Sequence, residues 1–542
     1  MRPILLLAAM PLLWVAACSG DRSSSQRQSA AAPRPTVDPG AHAKSLDAGV
    51  GEANPTVGDA SASATGADGA ATAADGAATV GERAVSRPRI GSIGRVTWIY
   101  PRPSRKSEPI GSIRPGTAVT LRATEPLQGE GCPRWYEVEP RGFVCFDGKA
   151  TLDLDKEPFK ALASLVPDRT SAFPYRYAYS TGAPMYGRVP DADQQARIER
   201  GYRRLDKIPR HHKPRSGHEE LATDDTIAGA DPNPYFASSG EFPRMPGQRA
   251  GTLRWEIPEG AMLSYRSAID VGGRVFLVSP DLSLVSADRV RPFRPSSFRG
   301  LELTAETPLP IGWIRKEAKA KYRKADDGSF APTGDHWPVR TWVGLTGQKV
   351  EKGGTTWLET RDQGLFIKAS DVSVVDLPGQ LPFSVAPDEK WIDASIDKGT
   401  LTLYVGSKPV FSTLMSPGAG GVPPATAKTN EELVKGSHTP LGIYRINYKV
   451  RETTMTPEKT PFPEKSWIAD VPYTLYFRMP FAIHGAYWHE DFGQPKSGGC
   501  INLSPIDARY VFDWVEPKIP DEWSGVSGAP ATGLGTKVFI HR

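Results

Sequence analysis

The sequence predicts a mainly β protein built from several domains. Its 542 residues include 53 glycines and 51 prolines, a larger share than in an average globular protein, and these residues separate short apolar stretches. Such spacing is typical of β-strands joined by turns. At roughly 150 residues per domain, a chain of this length forms three or four domains.

Charge and cysteine content exclude two classes of protein. The 66 basic and 61 acidic residues nearly balance, and no run of Lys or Arg is interleaved with aromatic residues, so we expect no nucleic-acid partner. Cysteine occurs only at positions 18, 132, 145 and 500, which is too few for a disulfide scaffold.

The N-terminus predicts export. Residues 4–17 form an apolar stretch with the length of a signal-peptide core, too short to span a bilayer, so residues 1–17 are predicted to be a signal peptide. The stretch ends in Val15-Ala16-Ala17-Cys18, which resembles the lipobox of bacterial lipoprotein precursors. That resemblance implies an acylated Cys18 and a lipid anchor on a bacterial membrane, facing the periplasm or cell wall. The alternative is an ordinary secretory signal with an incidental Cys18.

Residues 18–88 are predicted to be a disordered tether. Beyond Cys18 the segment contains no aromatic residue and is rich in Ala, Gly, Ser, Thr and Asp. Such a composition cannot bury enough apolar area to offset the entropy of ordering the chain. As a flexible coil it would span roughly 45 Å, which lets the folded part reach away from a membrane.

Three segments of short strands follow, at residues 89–155, 172–293 and 305–376. Their strand endings are similar, as at residues 275–278 and 364–368, which suggests a repeated module. Their size and strand density resemble bacterial SH3-like small barrels. The resemblance implies modules that bind cell-wall peptides or space a further domain from its anchor. The middle module carries a long charged insertion near residues 190–255.

These modules contain candidate residues for a disulfide and for a metal site. Cys132 and Cys145 flank two predicted strands closely enough for a disulfide across a hairpin, which export permits; two unpaired buried thiols are the alternative. His211, His212 and His218 lie in the insertion without supporting ligand spacing, so we expect a solvated loop there and no metal.

Cys500 is the cysteine that remains if Cys18 is lipidated and the other two pair. It ends the glycine-rich stretch Ser497-Gly498-Gly499, an arrangement that turns backbone N–H groups toward a developing oxyanion. A free thiol in an oxidising compartment needs a reason. The sequence therefore indicates a reactive cysteine, with a small buried hydrophobe as the alternative.

His484 lies sixteen residues before Cys500, at the end of an apolar stretch. A thiol and an imidazole together provide a nucleophile and its base. The alternative is a histidine that is hydrogen-bonded only for structure. A zinc site formed by His484, His489 and Cys500 does not match a known ligand frame.

The residues around His484 and Cys500 resemble the L,D-transpeptidase (YkuD-type) catalytic motif. That motif is a His, a spacer, and then Ser/Thr-His-Gly-Cys followed by an apolar residue and Asn or Arg. Here residues 483–485 and 497–503 read Ile-His-Gly and Ser-Gly-Gly-Cys-Ile-Asn-Leu. Residues 390–393, 401–404 and 439–444 resemble the opening strands and Thr-Pro-x-Gly segment of the family. The resemblance covers residues 388–542 and implies a YkuD-like β-sandwich domain with a short buttressing helix.

Local patterns agree with that fold. Ser504, Pro505 and Asp507 predict a capped helix start, and Pro517 ends the helix. Residues 443–450 alternate as one half-buried strand does. One face of this predicted strand consists of Tyr444, Ile446, Tyr448 and Val450, and the other of Arg445, Asn447 and Lys449. Hairpin turns are expected at residues 397–399 and 406–408.

The resemblance implies roles for individual residues. Cys500 matches the nucleophile and His484 the general base and acid. Ser497 and Asn502 match positions that shape the site, and Gly499 and Cys500 would offer oxyanion N–H groups. Tyr487, Trp488 and His489 follow the base and are expected to line a peptide groove, although packing alone also explains the aromatic residues. The chain departs from the motif at Gly498, where the family usually has His.

The resemblance further implies a peptidoglycan L,D-transpeptidase that forms an acyl-enzyme on tetrapeptide stems and transfers the acyl group to an amine. This mechanism requires no cofactor. Two alternatives stay open. Hydrolysis of the thioester would give an L,D-carboxypeptidase, and Gly498 favours a catalytically weak or inactive scaffold that binds peptidoglycan.

Overall fold

The computed structural model describes residues 87–204, 207, 219–238, 240, 242–456 and 467–542. Three sets of sequence-based predictions lie outside these residues. They are the signal peptide of residues 1–17, the tether up to residue 86 with the lipidated Cys18, and the loop histidines His211, His212 and His218.

The first folded segment consists of short strands that end in a short helix. Its elements are β1 (Arg89–Ser92), β2 (Thr97–Tyr100), β3 (Gly111–Ile113), β4 (Ala118–Thr120), β5 (Leu127–Gly129), β6 (Cys132–Glu137), β7 (Phe143–Cys145), β8 (Ala150–Thr151) and α1 (Phe159–Ala163).

Cys132 and Cys145 form a disulfide, which confirms the predicted pairing. Strands β6 and β7 are antiparallel neighbours, with Trp135 opposite Cys145. Trp135 is fully buried and packs with both cysteines. The disulfide therefore closes a hairpin whose core is an indole ring.

The middle segment contains the predicted insertion between β10 and β11. Its elements are β9 (Arg176–Ser180), β10 (Ala183–Tyr186), α2 (Ala192–Glu199), a 3₁₀ helix (Tyr235–Ser238), β11 (Leu253–Ile257), β12 (Met262–Tyr265), β13 (Ser267–Val271), β14 (Arg274–Val278), β15 (Leu284–Ser286), a 3₁₀ helix (Ala287–Arg289) and β16 (Val290–Pro292).

The third segment contains the longest strands before the C-terminal domain. Its elements are β17 (Leu301–Glu302), β18 (Ile311–Trp313), β19 (Lys319–Lys324), β20 (Phe330–Trp337), β21 (Trp342–Lys352), β22 (Thr355–Thr360), β23 (Leu365–Lys368), a 3₁₀ helix (Ala369–Asp371) and β24 (Ser373–Val375).

The C-terminal segment carries the remaining strands and two helices. Its elements are β25 (Lys390–Ser395), β26 (Thr400–Val405), β27 (Lys408–Leu414), α3 (Asn430–Lys435), β28 (Gly442–Arg445), β29 (Tyr448–Met455), β30 (Ile468–Arg478), β31 (Phe481–Gly485), β32 (Ile501–Leu503), α4 (Pro505–Trp514), β33 (Gly525–Ser527) and β34 (Lys537–His541).

The sheets confirm a mainly β protein but show no closed barrels among the described residues. Strand β3 of the first segment pairs with β33, and β12 of the middle segment pairs with β30, so one 13-stranded sheet runs through three segments. Because these strands hydrogen-bond to the C-terminal domain instead of closing on their own modules, the SH3-like interpretation is not confirmed. The predicted module boundaries stay predictions.

The C-terminal domain packs two layers of strands around one core. One layer is the six-stranded sheet of β17, β27, β26, β25, β34 and β28. The other contains β29, β30, β31 and β32, and a single cluster of buried apolar residues joins the layers. Strand β17 pairs with β27, so the sheet takes a strand from a segment that precedes the predicted domain.

The local predictions in this domain are mostly confirmed. Helix α4 begins after Ser504, whose side chain accepts a hydrogen bond from the Asp507 N–H. Gly399 and Gly406 occupy the expected turns with φ of +63° and +56°. The single strand predicted for residues 443–450 is wrong, because β28 pairs with β34 while β29 pairs with β30, and the chain changes sheets between them.

The described helices are all short. None of them is long and apolar enough to cross a membrane.

Candidate active site

Two parallel strands direct His484 and Cys500 to the same face of a sheet. Strand β31 pairs with β32 so that Ile483 lies opposite Ile501 and His484 opposite Asn502. Side chains alternate across a sheet, so His484 and Asn502 lie on one face, and Cys500, two residues before Asn502, is directed to the same side. Cys500 packs with Ala482 of β31, as that register requires.

His484 is a buried and neutral base. The residue is only 1% exposed, and burial lowers the pKa of its imidazole to about 4. Nδ1 lies 3.2 Å from the Gly485 carbonyl oxygen; because a carbonyl only accepts, Nδ1 carries the proton. Nε2 is buried and has no hydrogen-bond partner among the described groups, which leaves its lone pair available to a neighbouring acid.

Cys500 is held in oxidised form. It is disulfide-bonded, and no described cysteine is free. The expectation of a leftover free thiol is therefore wrong for this state. Because only the thiolate is a nucleophile, Cys500 can act only after reduction.

Ser497 organises the turn that leads into Cys500. Its Oγ accepts a hydrogen bond from the Gly499 N–H at 3.1 Å and donates one to the Cys500 carbonyl. The Gly499 N–H is thereby engaged within the turn, and its role as an oxyanion donor stays a prediction. A serine side chain satisfies backbone groups two and three residues ahead in the same way in other tight turns.

Gly499 is required at its position by backbone conformation and by space. Its φ is +133°, and a Cβ there would lie 2.6 Å from the Phe481 ring and 2.9 Å from the His438 carbonyl oxygen. The sequence pattern predicted a glycine-rich turn here. It did not show why glycine is needed, which is the close approach of the segments that contain Phe481 and His438.

A second glycine-rich segment supports the cysteine turn and was missed by the sequence analysis. The Pro417 carbonyl accepts from Lys496 and Ser497, and Ser416 exchanges backbone hydrogen bonds with Asn502. The signal was present as three glycines, Gly418, Gly420 and Gly421. A Cβ on Gly418 would lie 2.2 Å from the Ser437 carbonyl oxygen.

The three residues predicted to line a groove are buried, at 1% exposed for Tyr487, 3% for Trp488 and 0% for His489. Tyr487 stacks on Tyr177 with ring centroids 3.7 Å apart. It also lines a cavity of about 290 Å³ between the middle segment and the C-terminal domain. The Trp488 ring lies 5.9 Å from that of His484. Their role in substrate binding stays a prediction.

The insertion of the middle segment contacts the loop between His484 and Cys500, which sequence reasoning also missed. Glu220 accepts from the Glu490 N–H at 3.1 Å and forms an ion pair with Lys496 at 3.2 Å. Burial, together with the nearby Asp491 carboxylate, raises the pKa of Glu220. The Leu221 N–H donates to the Trp488 carbonyl. This loop is therefore held from both domains.

Comparison with known proteins identifies the same part of the chain. Residues 389–540 match the family model described as the L,D-transpeptidase catalytic domain, YkuD. Among solved structures, similar chains include an L,D-transpeptidase mutant from Enterococcus faecium, with 18% identity over 28% of this chain and 49% of that one and a TM-score of 0.20. The present chain thus matches about half of that protein.

Two further solved structures are similar. The catalytic domain of an E. faecium L,D-transpeptidase shares 18% identity over 28% of this chain and 97% of that one, with a TM-score of 0.20. An L,D-transpeptidase from Mycobacterium smegmatis shares 17% identity over 47% of this chain and 89% of that one, with a TM-score of 0.21. No curated protein matches the chain.

We predict that Gly499→Ala disrupts the turn before Cys500. The substitution forces an L-residue into a left-handed conformation and places its Cβ against the Phe481 ring, at a cost of about 1–3 kcal/mol. Thermal unfolding would show the loss of stability, and iodoacetamide would alkylate the reduced Cys500 at a changed rate. Gly379→Ala is the matched control, because a Cβ there meets no atom within 4 Å. Equal behaviour of both variants would contradict this account.

Proposed function

Because residues 389–540 match the family model of the L,D-transpeptidase catalytic domain, YkuD, we propose that the protein is a peptidoglycan L,D-transpeptidase with Cys500 as its nucleophile. The observation that carries this proposal is the pairing of β31 with β32. It directs Cys500 and the unpartnered Nε2 of His484 to one face of the sheet.

The first half-reaction forms a thioester. The Cys500 sulfur attacks the carbonyl carbon between diaminopimelate and the terminal D-alanine of a tetrapeptide stem, while Nε2 of His484 takes the thiol proton. The tetrahedral intermediate collapses as the C–N bond breaks. His484 then returns the proton to the leaving amine, and D-alanine departs.

The second half-reaction transfers the acyl group. An amine of a second stem attacks the thioester, His484 Nε2 accepts its proton, and the Cys500 thiol leaves with that proton. The product is a 3-3 cross-link when the amine belongs to a stem peptide. Water in place of the amine gives a carboxypeptidase.

The environment of His484 supports its assigned role. Burial disfavours the imidazolium, so the ring is neutral at pH 7, and the Gly485 carbonyl fixes the proton on Nδ1. A neutral imidazole with a bare Nε2 is the form that a general base needs. An ordinary thiol has a reference pKa of about 8.5, so the proton stays on sulfur at rest and moves as the S–C bond forms.

A receptor that binds stem peptides without turnover is the second candidate. Two observations favour it, namely Gly498 in place of the usual motif His and the disulfide on Cys500. Reducing conditions separate the two candidates, because an enzyme becomes competent on reduction and a receptor does not.

We predict that the reduced protein gains the mass of a stem tripeptide acyl group when it is incubated with tetrapeptide muropeptides, and that D-alanine is released. Intact-mass spectrometry measures the adduct. Cys500→Ala should abolish it, since that variant has no sulfur at the site. The double variant Cys132→Ala and Cys145→Ala should keep it and is the control for thiols exposed by reduction.

The products decide among the candidates. Cross-linked dimers indicate a transpeptidase, and trimmed tripeptides a carboxypeptidase. Binding without an adduct would establish the receptor, and an adduct that persists in Cys500→Ala would remove the proposed nucleophile.

We predict that the acylation rate falls only as pH drops toward about 4, because the imidazolium cannot accept the thiol proton and burial lowers the pKa of His484 to about 4. Since this pKa lies below the reference of about 6.5, the unfolded chain binds more protons between these values. Stability therefore rises with pH across that window. Stopped-flow acylation and denaturant unfolding from pH 3.5 to 7.5 test both trends. A rate that falls already near pH 6.5 would contradict the buried, neutral base.

We further propose that the protein is exported and anchored through acyl chains on Cys18, on the strength of its lipobox-like sequence. Cells that express the protein and are fed an alkyne fatty acid should label it, and Cys18→Ser should lose the label. Equal labelling of both would place the lipid elsewhere, and labelling of neither would indicate an ordinary secretory signal.

A further inference from the structure

A cavity of about 290 Å³ lies beside the loop between His484 and Cys500. The aromatic residues Phe173, Phe293 and Tyr487 form its apolar wall, and the Phe293 and Tyr487 rings pack edge-on with centroids 5.6 Å apart. Five charged residues also line the cavity, namely Asp168, Arg176, Asp231, Arg266 and Arg294. The cavity therefore offers both apolar and ionic contacts to a ligand.

Two of the three arginines in the lining already have ionic partners. Arg176 forms an ion pair with Asp231, and it donates a hydrogen bond to the Arg266 carbonyl at 2.7 Å. Arg294 donates to the carboxylate of Glu490 at 2.9 Å. Because the charges of these pairs balance, they contribute little to the recognition of a charged ligand.

Arg266 and Asp168 are the charged lining residues that form no ion pair with any residue that the structure describes. Both are exposed, so a ligand from solution can reach them. The Thr170 hydroxyl and N–H donate to the Asp168 carboxylate at 2.6 and 2.8 Å. These bonds lower the pKa of Asp168, and the nearby charge of Arg266 adds to the effect. At pH 7 the cavity thus presents one guanidinium and one carboxylate.

Two opposite charges without ionic partners favour a ligand that carries both charges. A simple anion would meet the Asp168 carboxylate and a simple cation the Arg266 guanidinium, and contacts between like charges are unfavourable. A guanidinium binds a carboxylate through parallel N–H bonds, while a carboxylate accepts from an ammonium group. An amino-acid zwitterion with an apolar chain would satisfy both charges and cover the aromatic wall.

We propose that this cavity binds the free end of a diaminopimelate side chain in a peptidoglycan stem, with Arg266 on its carboxylate and Asp168 on its ammonium group. That end is a zwitterion, and its methylene groups would pack against Phe173 and Phe293. The volume lies at the lower end of the range for ligand pockets, about 300–1,000 Å³, which suits a residue-sized group. The identity of the ligand rests on the proposed function, whereas the charges and rings of the cavity do not.

Tyr487 connects this cavity to the candidate active site. Its ring packs edge-on against that of Trp488 at 5.0 Å, and the Trp488 ring lies 5.9 Å from that of His484. The Tyr487 hydroxyl donates to the Ala469 carbonyl at 2.8 Å, which holds the ring in place. A stem bound in the cavity would therefore lie against the same loop that follows the proposed base.

The first test combines a change in the ligand with a change in the protein. Isothermal titration calorimetry of the full-length protein with its disulfides intact measures binding without acylation. The probes are a disaccharide tetrapeptide with diaminopimelate and the same molecule with lysine, which lacks only the side-chain carboxylate. We expect the native protein to bind the first probe about fivefold more tightly, as for one ion pair at a partly open site. Arg266→Gln should lose this preference.

Arg95→Gln is the matched control for the loss of one positive charge. Arg95 is exposed, forms no ion pair with the described part of the chain and does not line the cavity. This variant should keep the preference for the diaminopimelate probe. Equal binding of both probes to the native protein, or a preference that persists in Arg266→Gln, would overturn the proposal.

The second test addresses the ammonium group. Acetylation of the side-chain amine of diaminopimelate should weaken binding to the native protein by about fivefold, and Asp168→Asn should bind both probes alike. The Asn side-chain oxygen can still accept from Thr170. A preference that persists in Asp168→Asn would overturn the assigned contact. Free D-alanine is also a zwitterion but lacks the methylene chain, so its displacement of the tetrapeptide probe at equal concentration would contradict the choice of diaminopimelate.

Acylation kinetics after reduction separate this proposal from the proposed function. Arg266→Gln should raise KM for the muropeptide by about fivefold and leave the acylation rate constant at saturation unchanged, because the residue binds substrate away from the reacting atoms. A lower rate constant with an unchanged KM would overturn the binding role. If the reduced native protein forms no acyl-enzyme, the proposed function fails, and the calorimetric comparison still decides whether the cavity binds diaminopimelate.

Discussion

The parallel pairing of β31 with β32 is the constraint on which the site depends. Neighbouring parallel strands cannot be joined by a tight turn and need a crossover connection, and here the crossover is the loop of residues 486–500. That loop contains Trp488, His489 and Ser497 and ends at Cys500. The same register sets His484 opposite Asn502. A shift of one residue would turn every one of these side chains to the other face.

Burial makes the hydrogen bonds of this loop specific. Water is excluded from His484, His489 and Asn502, which are at most 2% exposed, so each polar atom needs a partner from the protein. The contact of Nδ1 with the Gly485 carbonyl fixes the tautomer of His484. Nε2 of His484 and Oδ1 of Asn502 have no hydrogen-bond partner among the described groups, and Nε2 is the atom that the proposed chemistry uses.

Local signals in the sequence predicted local structure well. The cap at Ser504, the turns at Gly399 and Gly406 and the hairpin disulfide each depend on residues near one another in the chain. The approximate location of the site was also predictable, because the residues of one crossover loop are close in sequence. The predictions that failed concern pairing between residues that are far apart in the sequence. No local pattern shows that β3 bonds to β33, or that Glu220 reaches Lys496.

Lys449 shows how distant packing overrides a local pattern. Alternation placed it on the solvent side, but it is 2% exposed, and burial lowers its pKa to about 7. Its Nζ donates to the Val515 carbonyl at the end of α4 and lies over the Phe512 ring. A cation at a helix C-terminus is favourable. The lysine therefore stabilises the end of α4 and is not part of the solvent-exposed surface.

Helix α4 is consequently fixed at both ends. At its start, the buried Asp507 accepts from the Gly300 N–H and the Thr413 hydroxyl, and at its end Lys449 holds the Val515 carbonyl. Only Ser504 separates the helix from β32, so a fixed helix also fixes the strand that follows Cys500. The nucleophile is thus placed by a helix whose own anchors come from β29, from β27 and from the segment before β17.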